Sequence, residues 1–161
     1  MKFAAFSLVI CTICAVSLVH VSVAQISPDD FVKAHNKVRK EVGVVPISWN
    51  KTLAAKEEEL AIPRISSCNV IEDPFGEIAV QASYPLTAAE AVALWASEKP
   101  YYDYDKNTCV GRNCEHYTQV VWNESVTVGC TRAQCRSGYW FISCRYYPEG
   151  NTPLERPYKK H

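Results

Sequence analysis

The stretch Cys109-Val-Gly-Arg-Asn-Cys-Glu-His-Tyr-Thr-Gln-Val-Val-Trp122 joins a short cysteine loop, a histidine and an apolar anchor. Cys109 and Cys114 have four residues between them and can close a small covalent loop. His116 follows directly, and Val120 to Trp122 supply the apolar anchor. A titratable side chain between a rigid loop and a buried anchor is typical of the rim of a cleft. The alternative is a hydrogen-bonded histidine of the core.

The first residues indicate export. Lys2 gives a short positive start, and an almost wholly apolar run then ends in the small residues Ser22-Val23-Ala24, which is the pattern of a secretory cleavage site. The run is also long enough to be a retained membrane anchor, but His20 and several serines interrupt it. We therefore predict a signal peptide over residues 1–24 and a secreted single-domain mature chain that begins at Gln25.

The cysteines predict disulfide bridges. Two of the eight cysteines lie in the signal peptide, and the even number that remains in a secreted chain favours bridges. Paired C-x-x-C sets, which zinc clusters favour, do not occur among the six. Strands predicted over 126–132 and 139–147 form a hairpin around Ser137-Gly138. Strand register, proximity and elimination then predict the bridges Cys130–Cys144, Cys109–Cys114 and Cys68–Cys135.

Two helices are predicted in the first half of the mature chain. Ser27 caps the first, which runs to Gly43 and places His35 on its apolar stripe, so a structural role is expected for that histidine. Asn50 caps the second, which Pro63 is expected to end. The charged residues 56–59 of this helix are expected to face mostly outward.

A strand and a third helix follow. The strand is predicted over residues 75–80, with Glu77 on the opposite face from Ile78. The capping box Thr87-Ala88-Ala89-Glu90 begins the third helix, which is expected to reach Pro100 and to carry Glu98 on the side of its apolar residues. Three tyrosines then lie in a polar loop and offer a contact surface: Tyr101, Tyr102 and Tyr104.

Charge and the remaining motifs limit the partners. The chain carries 17 basic and 17 acidic residues, and this balance leaves no basic surplus for phosphates, so nucleic acid is excluded as a partner. Sequons permit glycans at Asn50 and Asn123. Residues 148–161 are rich in proline and turn formers, and we expect them to form an exposed or loosely wrapped extension.

Several stretches resemble the CAP superfamily (cysteine-rich secretory, antigen five and pathogenesis-related class one proteins). They are A-H-N-K-V-R at 34–39, A-V-A-L-W at 91–95, C-E-H-Y-T-Q-V-V-W at 114–122, V-G-C at 128–130 and F-I-S-C-R-Y at 141–146. The chain is most similar to plant pathogenesis-related proteins of the first class, whose tail resembles P-E-G-N-T-P-L-E-R-P-Y.

This resemblance implies an α+β fold over residues 25–147, a three-layer α/β/α sandwich with a small antiparallel sheet and three disulfides. It also implies a monomeric defence protein of the extracellular space of plants, the apoplast. Its expected partners are a sterol or other lipid ligand and a pathogen membrane or effector.

The family's cleft uses two histidines and two glutamates that can hold a divalent metal. Glu77, Glu98 and His116 match three of these positions, and Glu72 stands where the remaining histidine falls. Three carboxylates and one imidazole disfavour zinc relative to calcium or magnesium. We therefore predict no resident cofactor, weak divalent cation binding, weak or absent zinc binding, and a charged His116.

Three functions compete at this point. The leading one is a binding protein that presents the cleft and the Tyr101 to Tyr104 loop to an apolar ligand. The second is a precursor that releases the immune peptide 148–158 at the Tyr147–Pro148 junction, although C-R-Y-Y here departs from the related C-N-Y-x. The third is a hydrolase that uses His116 with Glu77 or Glu98 as base, but no G-x-S-x-G or H-E-x-x-H motif supports it.

Overall fold

A computed structural model describes residues 26–72 and 76–160; the predicted signal peptide and its cleavage site lie outside the described residues. The main helices are α1 (Pro28–Glu41), α2 (Lys51–Ser67), α3 (Ala88–Ala96) and α4 (Glu115–Val120). The strands are β1 (Ser48–Trp49), β2 (Glu77–Ala82), β3 (Tyr102–Asp103), β4 (Thr108–Cys109), β5 (Thr127–Gln134) and β6 (Trp140–Tyr147). One turn of 3-10 helix, Lys99–Tyr101, joins α3 to β3.

The main sheet has the strand order β1-β5-β6-β2 and lies between two layers of helices. Strand β6 is antiparallel to β5 and β2, whereas β1 is parallel to β5. Helix α2 packs on one face, where Gly129 is required because a Cβ there would collide with the backbone of Ala54. Helices α1, α3 and α4 contribute to the main core on the other face. The predicted three-layer sandwich is confirmed.

The disulfides and helix starts match the sequence predictions. The structure contains the bridges Cys68–Cys135, Cys109–Cys114 and Cys130–Cys144, and the last joins facing residues of β5 and β6. Ser27 and Thr87 form capping boxes with Asp30 and Glu90. Local signals therefore determine where these elements begin.

Two predictions about helix ends were wrong. Helix α2 continues through Pro63 to Ser67, because its last turns pack Ala61 and Ile65 against a second core cluster that contains Phe141. Tertiary packing here outweighs the local cost of a proline. Helix α3 ends at Ala96, so the one turn of 3-10 helix, and not α3, reaches Pro100.

The prediction for the charged run of α2 was wrong at one position. Glu57 is fully buried. Its Oε1 accepts a hydrogen bond of 2.8 Å from Nε of Arg145 on β6, which offsets the cost of burying the charge. A buried carboxylate requires such a partner. Lys56, Glu58 and Glu59 are exposed as expected.

Most of the tail is exposed, as predicted, but hydrogen bonds and ring contacts fasten it rather than leaving it loosely wrapped. The backbone N–H of Asn123 donates to the Pro157 carbonyl at 2.7 Å, and Nδ2 of Asn107 donates to the Glu155 carbonyl at 2.9 Å. Pro157 is buried, and the ring of Tyr158 lies 5.3 Å from that of Tyr104. Composition predicted the lack of regular structure but not these contacts.

No helix within the described part of the chain has the length and apolarity needed to cross a membrane.

Candidate functional site

His116 is held between two carboxylates at the start of α4. The helix begins directly after Cys114, whose bridge to Cys109 fixes the preceding loop. Nδ1 of His116 lies 2.5 Å from Oε1 of Glu98, and Nε2 lies 2.8 Å from Oε1 of Glu72. Both ring nitrogens therefore have an anionic partner, and the imidazole ring links the segment before β2 to the segment after α3.

Backbone donors hold the two carboxylates in place. The Oε2 atom of Glu98 accepts from the backbone N–H groups of His116 and Tyr117, at 3.1 and 3.2 Å. The Oε1 atom of Glu72 also accepts from the Ala79 N–H at 2.6 Å. These bonds orient each carboxylate toward the ring of His116.

The protonation state of His116 follows from this geometry. Burial by itself would lower the pKa of His116, but the hydrogen bonds and charges of Glu72 and Glu98 outweigh it and raise the pKa to about 10. Partial burial would raise the pKa of Glu72, but the bonds from His116 and Ala79 hold that pKa below its ordinary value. His116 is therefore an imidazolium at neutral pH, as the sequence predicts for nearby carboxylates without a cation.

Glu77 lines the same cleft as Glu72 and His116, but its carboxylate contacts different side chains. The cleft has a volume of about 330 Å³, and Glu72 and His116 also line it. Both oxygens of Glu77 accept from Arg64, one of them at 3.1 Å, and Nη2 of Arg145 lies 3.5 Å from Oε2. The side chain of Glu77 is completely buried, so the arginines neutralise this carboxylate.

These residues do not fit a divalent metal as they stand. Both nitrogens of His116 are engaged as donors, whereas a metal requires the lone pair of a neutral imidazole. Glu77 is committed to Arg64 and Arg145. No group of three or more His, Cys, Asp or Glu side chains among the described residues is arranged to hold a metal ion.

The tyrosine loop packs against the tail. The ring of Tyr102 lies 6.2 Å from Tyr104 and 6.4 Å from Tyr158, and the hydroxyl of Tyr104 donates to the Tyr158 carbonyl at 3.1 Å. Tyr101 lies apart from this cluster, with the guanidinium of Arg112 5.6 Å from its ring centroid. Two of the three predicted contact residues therefore already have a structural role.

The predicted glycan acceptors lie in different surroundings. Oδ1 of Asn50 caps α2 by accepting from the N–H groups of Thr52 and Leu53, at 2.9 and 3.2 Å. Nδ2 of Asn123 donates to Oε1 of Glu124 at 2.9 Å, beside the fastened tail.

Sequence reasoning missed the arginines that organise the site. Besides Arg64 and Arg145, the fully buried Arg39 donates to the carbonyls of Val120 and Trp122, each at 2.9 Å. Arg39 thereby anchors the end of α4 to α1. A signal existed for Arg145, because a charged residue in the apolar run of β6 requires a buried partner.

The family model of the cysteine-rich secretory protein family (CAP) matches residues 32–146. The chain therefore belongs to the cysteine-rich secretory protein (CAP) family, and the resemblance seen in the sequence is confirmed.

Its relatives include plant pathogenesis-related proteins of the first class. The chain is 44% identical over 153 residues to pathogenesis-related leaf protein 6 of Solanum lycopersicum, which covers 94% of this chain and 96% of that protein. It is 45% identical over 154 residues to the basic form of pathogenesis-related protein 1 of Nicotiana tabacum, with coverages of 94% and 87%.

Solved structures show the same fold. Venom allergen-like protein 4 of Schistosoma mansoni superposes with a TM-score of 0.66 at 29% identity, over 83% of this chain and 94% of that chain. NaASP2, solved with Zn²⁺, superposes with a TM-score of 0.68 at 20% identity, over 86% and 87% of the two chains. The second likeness shows the fold alone.

Proposed function

We propose that this chain is a secreted, defence-related binding protein that takes a sterol or other lipid in the extracellular space. Its relatives of the pathogenesis-related class support the defence role. Three bridges suit a protein that holds a surface rigid outside the cell. The lipid site itself rests on one feature of the surface, a cleft between α1 and α3.

This cleft carries the proposal. It has a volume of about 510 Å³, and Ile26, Ala34 and Ala88 form part of its apolar lining. Asp30, Lys33 and Lys37 of α1 also line it and are exposed, so two of its three charged groups are cations. An apolar cleft of this size with a few polar groups is a common form of ligand site. The lysines would face a carboxylate or hydroxyl head group.

The cleft is a better candidate for the contact than the tyrosine loop. Tyr102 and Tyr104 pack on Tyr158, so replacing them would disturb the tail as well as any ligand. Tyr101 is free of that contact and remains the loop position at which a ligand effect can be tested separately.

The test measures binding of ergosterol and palmitate to the mature, oxidised protein. Ala89→Trp at the exposed edge of the cleft should weaken both ligands by about tenfold or more. Ala93→Trp, on an exposed position of the same helix outside the cleft, is the matched control. The double change Lys33→Glu and Lys37→Glu should weaken palmitate more than ergosterol. Unchanged binding by Ala89→Trp would exclude this cleft.

Binding is favoured over hydrolysis by the contacts of the candidate bases. Glu77 accepts hydrogen bonds from Arg64, and Glu98 accepts them from the ring and the backbone N–H of His116. A general base must accept a proton, and His116, whose pKa is about 10, is itself already protonated at neutral pH. Turnover of an ester or peptide substrate that disappears in His116→Ala would contradict this proposal.

Zinc binding at the cleft is proposed to be weak or absent, because Glu72 takes the position of the family's histidine and pairs with His116. Calorimetric titration of the mature protein should detect no zinc binding in the micromolar range. Micromolar binding that Glu98→Ala abolishes would refute this.

Release of the peptide 148–158 is the second candidate function. Strand β6 ends at Tyr147, so cleavage before Pro148 leaves the main sheet complete. Tyr147 is 63% exposed, although its carbonyl accepts from the Val126 N–H at 3.1 Å. Mass spectrometry of extracellular fluid should find the peptide 148–158. Its absence where the intact protein is abundant would reject this function.

A further inference from the structure

One edge of the main sheet is only partly covered. Strand β1 pairs with β5 through Ser48 and Trp49 alone, and the last bond runs from the Asn50 N–H to the Val128 carbonyl at 2.8 Å. Helix α2 then begins at Lys51 and leaves the edge. Strand β5 continues to Gln134, so most of its length extends beyond β1.

The backbone groups of two residues point to this open edge. Residues two apart in a strand present their N–H and C=O groups to the same side. Because Val128 bonds to the β1 side, Cys130 and Arg132 direct theirs to the same side. Among the backbone hydrogen bonds of the described residues outside the regular elements, none involves either residue.

The open edge lies at the bottom of a groove between two helices. The groove has a volume of about 510 Å³ and is lined by Phe31 of α1 and Ala55 of α2, together with Cys130 and Arg132. It adjoins the α1–α3 cleft and shares Ile26 with it, but α2 and β5 do not line that cleft. Within the groove Cys130 is buried and Arg132 is half-buried.

Aromatic and cationic groups line the same groove. Trp49 stacks on Phe31 with centroids 5.9 Å apart, and the guanidinium of Arg132 lies 4.1 Å above the ring of Trp140. Nε of Arg132 is buried and has no hydrogen-bond partner among the described residues. Lys51 adds a second cation, and Glu58 is the one carboxylate among the described lining residues. Glu90, outside the lining, also acts electrostatically on Arg132.

We propose that this groove binds an extended peptide segment, which adds to β5 as an edge strand with an acidic side chain toward Arg132 and Lys51. Backbone pairing would satisfy the open groups of Cys130 and Arg132. Trp49 pairs with Val128, which lies four residues before Arg132, so Trp49 and Arg132 are on the same face of the sheet. The acidic side chain and an apolar side chain that packs on Trp49 would therefore be two residues apart in the peptide. The net positive lining favours an acidic peptide over a basic one.

Other occupants satisfy fewer of these features. A small aromatic acid could contact Arg132 and Trp49 but would leave the backbone edge unpaired. The β5 edge of a second copy also lies between its own α1 and α2, so pairing of two such edges would bring the helices of both copies into collision. A flexible chain in an extended conformation can enter the groove and reach the edge.

Binding of synthetic peptides to the mature protein tests the backbone part of the proposal. The peptide acetyl-Val-Thr-Asp-Thr-Val-amide, whose valines and aspartate share one face of the extended chain, should bind. The peptide acetyl-Val-Thr-Lys-Thr-Val-amide should bind about tenfold more weakly or not at all. Two isomers of the acidic peptide carry N-methyl groups on alternate amides. Only the isomer methylated on the amides that face β5 should lose binding.

Nuclear magnetic resonance locates the contact. The N–H groups of Cys130 and Arg132 should become protected from hydrogen exchange when the acidic peptide is added. Absence of binding, equal binding of both methylated isomers, or protection elsewhere would overturn strand addition. So would equally tight binding of phenylacetate, or a dimer in sedimentation that the peptide dissociates.

Protein variants test the charge part. Arg132→Gln with Lys51→Gln should weaken the acidic peptide by about tenfold, whereas Lys56→Gln, an exposed position of α2 outside the groove, should not. Arg132→Glu with Lys51→Glu should reverse the preference toward the lysine peptide. This gain of binding distinguishes a direct contact from loss of fold, and an unchanged preference would refute the proposal.

Discussion

His35 and His116 each bridge two partners, yet one is neutral and the other is positively charged at pH 7. Nδ1 of His35 lies 2.7 Å from the Phe31 carbonyl and Nε2 lies 2.6 Å from the Tyr146 hydroxyl. Burial lowers the pKa of His35 to about 4, so this residue is neutral at pH 7. His116 meets two carboxylates and is charged.

The difference shows that the partners, more than burial alone, decide the state of a histidine. Burial opposes the charged form at both positions, but only His116 has anions that offset the desolvation. His35 therefore joins α1 to β6 as part of the core, whereas His116 forms an ionic clamp at the rim of a cleft.

The largest expected effect comes from removing the buried member of the pair. His35→Ala should lower the free energy of unfolding by about 3 kcal/mol at pH 7, because it leaves a cavity and removes the partners of Phe31 and Tyr146. Urea denaturation measures this. Lys37→Ala on the exposed face of α1 is the control, and a loss below about 1 kcal/mol would contradict the structural role.

The cost of His35→Ala should also depend on pH. The folded pKa lies near 4 and the ordinary value is 6.5, so between these values the unfolded chain binds the proton that the folded protein excludes. The wild-type contribution is thus complete above pH 6.5 and lost as the pH falls toward 4. The difference between wild type and variant should shrink over this window, and a constant difference would refute the assignment.

A smaller loss of stability, with the opposite pH dependence, is expected at His116. Its folded pKa of about 10 exceeds the ordinary 6.5, so its contribution is complete below pH 6.5 and lost as the pH rises toward 10. After allowance for solvent screening, His116→Ala should cost about 2 kcal/mol at pH 6 and progressively less toward pH 10. Denaturation of wild type and variant at both pH values checks this, and a cost that grows with pH would contradict it.

The smallest expected effect removes one side of the clamp. Glu72→Gln should lower the pKa of His116 by about one unit, because one anion is lost while Glu98 remains. Titration of the His116 ring signals by nuclear magnetic resonance measures the shift. Glu115→Gln, an exposed neighbour, should leave the curve in place, and an unmoved pKa in Glu72→Gln would show that the Glu72 contact is absent in solution.

Features that depend on residues close together in the sequence could be predicted. The Cys130–Cys144 bridge follows from a hairpin whose strands are close in sequence, and the helix starts follow from capping residues within one turn. The resemblance to the CAP family placed Glu72, Glu77, Glu98 and His116 in one cleft, because the order of the family's motifs along the chain is characteristic. The tyrosine contact surface stays a prediction.

Contacts between distant parts of the chain could not be predicted in this way. The sequence pattern predicts that Glu57 is exposed, because its partner Arg145 lies 88 positions further along the chain. The motif likewise predicts that Glu77 lies in the cleft, which it lines, but it does not reveal that this carboxylate accepts a hydrogen bond from Arg64. A charged residue in an amphipathic pattern is predicted to be exposed, unless a residue of opposite charge from a distant part of the chain pairs with it. The periodicity of a single sequence does not show which distant residues will pair.

The Cys68–Cys135 bridge has a consequence for a protein exposed to proteases. A single nick anywhere between these two positions yields two pieces that stay covalently joined, because one carries Cys68 and the other Cys135. The segments before Cys68 and after Cys144 lie outside all three bridges, so one cut in either segment frees a fragment. Limited digestion should therefore give full-length bands on non-reducing gels apart from losses at the two ends of the chain.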